Sequence, residues 1–167
     1  MKLTLDTRLD LAMREWNDAL AGLADADFAR MVYHKWNLKD VFGHVFAYLD
    51  LTLRHVRSYK KRKRLASPRA PSYAYFNRRE AERLRAVPLA QLRANLGATY
   101  RELVALIPTL SADDLKKEFP AQWTNSHYKT TLRYQLRENA SHLAIHAREV
   151  KAWRTRITFR SMNVCAK

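Results

Sequence analysis

"TLRYQLRENASHLAIHAREVKAW" (residues 131–153) decides how the chain is read. With a turn of about 100° per residue, Leu132, Leu136, Leu143, Ala147 and Val150 fall on one arc, and the stretch is too long for a strand. It reads as a helix from about Thr130 to Trp153. His142 and His146 stand four residues apart at the edge of that packing face, with Gln135, Asn139 and Glu149 on either side. Two histidines at i and i+4 reach a common point, which is why this spacing recurs in metal sites.

Working outward, the same period recurs three times. A first helix is expected from about Thr7 to Leu20, with Leu9, Met13, Trp16 and Leu20 on one stripe. Thr7 and Asp10 form its capping pair, and Gly22 ends it. A second begins after Asn37, an N-cap with Asp40 three residues on, and continues to about Tyr59. The prolines of "SPRAPS" (67–72) bar a regular helix, and a short helix is expected from Tyr75 to Arg85. The third main helix runs from Pro88 to Pro108, carrying Leu89, Leu92, Leu96, Leu103 and Leu106. "SADDL" (111–115) reads as one capped turn, and the segment before the last helix as irregular. No stretch shows strand alternation. The fold class expected is all-α, a four-helix bundle with long connections: residues 1–155 form one domain and 156–167 a basic tail.

Composition bounds the function. Only three glycines occur, so neither a phosphate loop nor a dinucleotide fingerprint can be built. No apolar run is long enough to cross a bilayer, and the charged N-terminus has no signal core. The expected compartment is the cytoplasm, in keeping with a single cysteine, Cys165, which cannot form an internal disulfide. A net charge of +15, concentrated in "KKRKR" (60–64) and after Arg148, favours anionic partners, nucleic acid among them.

A metal site needs a third ligand. His44 lies on the second helix between Val41, Val45, Tyr48 and Leu51, inside the apolar arc, where a histidine must satisfy two ring nitrogens. A bond to a carbonyl or to Tyr48 would serve as well as a metal. His55 shares that face but lies roughly 16 Å further along the helix, and His34 and His127 fall in loops.

"WNLKDVFGHVFAYLD" (36–50) followed by residues 131–153 resembles the DinB/YfiT-like superfamily of four-helix-bundle metalloproteins. Residues 76–115 are similar to its ClbS/DfsB branch. The resemblance covers about Trp16 to Trp153, and implies that His44, His142 and His146 bind a divalent metal, such as zinc, nickel or iron, in the bundle core. Three neutral histidines leave a coordination position open, as catalytic sites do. The chemistry implied is transfer of a low-molecular-weight thiol to an electrophile, or hydrolysis of a reactive small molecule. Tyr48 and Asn139 are the expected catalytic groups, with Gln135 and Glu149 near the ion and Trp36, Trp123 and Trp153 as walls. Two other readings stand beside this one: a basic helical module for nucleic acid, and a metal-free protein that sequesters a small compound. Pairing of the bundle with itself as a homodimer is left open.

Overall fold

The computed structural model describes residues 3–33, 35–66, 70–120 and 129–164, with side chains described as far as Ile157. His34, Trp123, His127 and Cys165 lie outside the described residues. The helices are α1 (Leu5–Leu20), α2 (Leu38–Arg62), α3 (Tyr73–Arg85), α4 (Leu89–Leu106), α5 (Ala112–Lys116) and α6 (Leu132–Val164). The all-α bundle expected from the sequence is therefore observed. α1, α2, α4 and α6 are its long members.

α2 is the central helix, packed against α3, α4 and α6, and most of its side chains from Leu38 to Tyr59 are buried. The other helices bury one stripe each. On α1 the stripe is Leu9, Ala12, Met13, Trp16 and Ala19, which faces α6. On α6 it is Leu132, Leu136, Leu143, Ala147 and Val150, the arc read from the sequence.

The ends of α2 are set locally. Asn37 Oδ1 accepts from the Asp40 amide at 2.8 Å, and Asp40 Oδ2 accepts from the Asn37 amide at 3.2 Å. This reciprocal pair satisfies two of the donors that every helix start leaves open. Asp40 also accepts from Arg85 Nε at 2.8 Å, tying α3 to the start of α2. At the other end Lys63 takes a left-handed conformation, φ 56°, and its amide donates to the Tyr59 carbonyl. That is the geometry of a helix C-terminal cap, here without glycine.

Several boundaries differ from the sequence reading. α1 starts at Leu5 after Thr4, whose hydroxyl bonds that of Thr7 at 2.7 Å, so Thr7 is inside the helix rather than its cap. α6 continues past Trp153 to Val164, because nothing there breaks a helix. The expectation of no strand is also corrected. Glu118–Pro120 pairs antiparallel with Lys129–Thr131, the Phe119–Thr130 pair at its centre. The strands are too short for alternation to register, and their stability comes from burying Phe119 against Tyr59, with ring centroids 5.5 Å apart.

Candidate metal centre

Helical period and the packing of α6 on α2 together bring three histidines to one point. His44 lies on α2, and His142 and His146 are one turn apart on α6, which packs on α2. Asn139, one turn before His142, holds the two helices in register. Its amide donates to the Tyr48 carbonyl at 2.7 Å and to Thr52 Oγ1 at 2.8 Å. The result is a triangle of ring nitrogens. His44 Nε2 and His142 Nε2 are 2.9 Å apart, and His142 Nε2 and His146 Nε2 are 3.1 Å apart. The three ligand-capable atoms all lie within 4.8 Å of one another.

The protons decide what this triangle wants. His146 Nδ1 lies 2.7 Å from Glu149 Oε2, and a carboxylate only accepts, so the His146 proton sits on Nδ1 and its Nε2 offers a lone pair. His142 Nε2 meets His44 on one side and His146 on the other. One proton cannot serve both contacts linearly, so hydrogen bonding leaves one lone pair facing another. A cation between the three nitrogens satisfies all of them. Around a tetrahedral ion with nitrogens about 2.0–2.1 Å away, neighbouring nitrogens are roughly 3.3 Å apart. A few tenths of an ångström of outward shift reaches that spacing, and the donor set fits a divalent metal.

Burial keeps the three imidazoles neutral. It pulls the His44 pKa down to about 2 and that of His142 to about 3, with neighbouring imidazoles adding to the effect. His146 is lowered as well, since burial outweighs the opposing pull of Glu149. Neutral imidazole is the form that ligates.

Around the triangle stand aromatic walls. The Trp36 and Tyr48 rings each lie 4.9 Å from the His44 ring by centroid, and Tyr48 lies 4.7 Å from that of His142. The Tyr48 hydroxyl donates to Asn77 Oδ1 at 2.8 Å. Burial, then Tyr73, raise its pKa, so it stays a phenol. Tyr33 donates to the same Glu149 oxygen that His146 uses, and burial ahead of Glu149 keeps its proton in place.

The residues expected near the site are distributed as follows. His44, His142, His146, Tyr48, Trp36 and Glu149 meet there. The Asn139 amide is engaged with α2, Gln135 donates to Thr130 Oγ1 at 2.8 Å, and the Trp153 indole donates to the Met31 carbonyl at 2.8 Å. His55 is fully buried elsewhere on α2. Tyr33 and Asn77 were not legible in the sequence. Tyr33 lies on an irregular segment without a period, and Asn77 on a helix whose face toward Tyr48 depends on tertiary packing.

Glu149 yields a direct expectation. Glu149→Gln removes the carboxylate that fixes the His146 tautomer, and should weaken metal affinity by roughly 10–100-fold. Competition against a chromophoric chelator measures it; unchanged affinity would show that Glu149 does not orient the ligand.

A sequence model of the DinB superfamily matches residues 8–150. No curated protein matches the chain by sequence. Among solved structures, the chain is similar to the colibactin self-resistance protein ClbS in complex with a dsDNA. That match has a TM-score of 0.74 and 16% identity over 90% of this chain and 93% of that one. The sibling lethal factor precursor DfsB gives a TM-score of 0.73 and 16% identity, over 91% and 94% of the chains. The mycothiol-dependent maleylpyruvate isomerase gives 0.70 and 17%, over 89% of this chain and 61% of that chain. Fold neighbours thus include ClbS and DfsB, which the sequence resembles. With its sequence match running from α1 through most of the bundle to α6, this chain belongs to the DinB superfamily.

Proposed function

We propose that the protein binds one divalent metal ion through His44, His142 and His146, and uses it to act on small reactive molecules by thiol transfer to an electrophile or by hydrolysis. The observation that carries this reading is the triangle of Nε2 atoms, whose lone pairs hydrogen bonding satisfies only in part. A bound divalent ion would lower the pKa of a thiol or water at its open position. The chain's own residues would do the rest. His146 is held by Glu149, Trp36 and Tyr48 would shield a bound ion from bulk water, and the Tyr48 phenol would donate to developing negative charge by releasing Asn77. The similarity to a mycothiol-dependent isomerase supports a low-molecular-weight thiol as co-reactant. Protein purified without a histidine tag should carry close to one equivalent of divalent metal by elemental mass spectrometry. Metal-loaded protein should accelerate thiol loss with an electrophile or hydrolysis of an activated ester. Protein that takes up no metal after dialysis against zinc, nickel or iron would sink the reading.

The basic surface favours a second reading, in which the protein also meets nucleic acid. The end of α2 and the residues just after it carry Lys60, Lys61, Arg62, Lys63 and Arg64, all exposed. Lys60 donates to Thr109, Arg62 to Ser58, and Lys63 lies 4.0 Å from Asp114. The ClbS neighbour was solved with a dsDNA. Double-stranded DNA should bind with a log–log salt slope near −0.9 per phosphate contacted, and Lys61→Glu with Arg64→Glu should flatten it by roughly two contacts' worth. Binding that ignores both salt and these substitutions would exclude this surface.

A further inference from the structure

A cavity of about 490 Å³ lies between α1 and α4. α1 lies mainly along α6, and α4 along α2. Across the gap between them, the Tyr100 hydroxyl donates to Asp10. The floor is apolar and buried: Met13 from α1, Phe28 from the turn after it, Phe42 from α2 and Leu96 from α4. The rim carries Asn17, Arg93 and Arg101. None of the three site histidines lines it.

The two arginines differ. Arg93 is engaged: its Nη1 lies 2.7 Å from Asp25 Oδ1, and its guanidinium stacks on Phe28 at 4.8 Å. Arg101 has no ion pair or hydrogen bond among the described residues. Its guanidinium folds back over Gly97, where a Cβ added to the glycine would meet Nη1 at 3.4 Å. A glycine inside a helix costs roughly 0.5–1 kcal/mol against alanine. Here it faces the cavity rather than a neighbouring helix, and leaves room for the cation at the rim. Asn17 likewise shows no side-chain hydrogen bond among the described residues.

A half-open cavity with an apolar floor, and with an unpaired guanidinium and an amide at its edge, suits an amphiphilic anion. The volume falls within the range of small-molecule sites, which are mostly apolar with a few convergent polar groups. We infer that this cavity binds an amphiphilic monocarboxylate, its apolar body against Phe28, Phe42 and Leu96 and its carboxylate on Arg101. Arginine's planar fork suits a carboxylate in two-point contact.

Decanoate is the probe, titrated by calorimetry into the full-length protein, with decanol as the uncharged comparison. One equivalent of decanoate should bind. Arg101→Gln should weaken decanoate by at least about tenfold while leaving decanol within about twofold. Gly97→Leu places a side chain in the cavity while improving helix propensity, so it should abolish binding with no fall in Tm. His142→Ala should bind decanoate like wild type, which separates this cavity from the metal site. Absence of saturable binding would overturn the inference. So would wild-type affinity in Gly97→Leu, or equal losses for acid and alcohol in Arg101→Gln.

Discussion

His142→Ala is expected to lose divalent metal while keeping its fold, with affinity reduced by roughly 10²–10³-fold. The magnitude follows from sharing the ~10–16 kcal/mol of a four-ligand zinc site among its ligands, which puts about 3–4 kcal/mol on each. His142 is the middle member of the triangle, within 3.1 Å of both neighbours. Its loss separates His44 from His146 and leaves too few donors to hold an ion. Elemental mass spectrometry of wild type and variant, prepared alike, reads the result. The bundle should survive, because the His142 ring is only partly buried and Asn139 still clamps α6 to α2. Far-UV circular dichroism checks that point. Metal content unchanged by the substitution would place the ion elsewhere.

The metal-free protein should lose stability on mild acidification, and the sign follows from burial. His44 and His142 have folded pKa values depressed to about 2 and about 3 from an ordinary value of 6.5. The unfolded chain therefore takes up protons first as pH falls. The stabilisation is fully present above about pH 6.5 and drains away as pH drops below that value toward the folded pKa. Between about pH 7 and about pH 5.5 the two histidines together should cost roughly 2–3 kcal/mol. Urea unfolding in the presence of a chelator, at those two pH values, measures the difference. His142→Asn removes one of these titrating groups and should reduce the loss by roughly 1 kcal/mol. A urea midpoint independent of pH across this window would contradict the burial of these rings as neutral bases. Saturating metal should flatten the profile near neutrality, since an ion that binds only the folded state adds its own stabilisation.

How much of this was legible beforehand depended on the kind of signal. Local period and capping chemistry are properties of neighbouring residues. The stripe of α6, the Asn37–Asp40 capping box and the Pro88 start of α4 could therefore be read directly. His142 and His146 one turn apart, and His44 inside a buried arc, could be read the same way; that the three form one set was implied by the family resemblance. The strand pair at Glu118–Pro120 and Lys129–Thr131 could not, because three-residue strands carry no period and depend on what Phe119 finds across the bundle. Thr7 looked like a cap because a hydroxyl precedes an acid by three residues, yet the helix already starts at Leu5, directly after Thr4.

By itself, then, the sequence determined the helical class, the core stripes, the central place of His44 and the strongly basic balance. All four arise from residue type at short spacing. Tertiary structure alone decided which distant groups complete the surroundings: Tyr33 donating to the Glu149 carboxylate that His146 uses, Asn77 accepting from Tyr48, and Asn139 donating to α2. It alone opened the cavity between α1 and α4. Hydrogen-bond partners far apart in the chain, and the gap left when two helices each pack on a different neighbour, are set by the relative placement of whole elements. No local period encodes that placement.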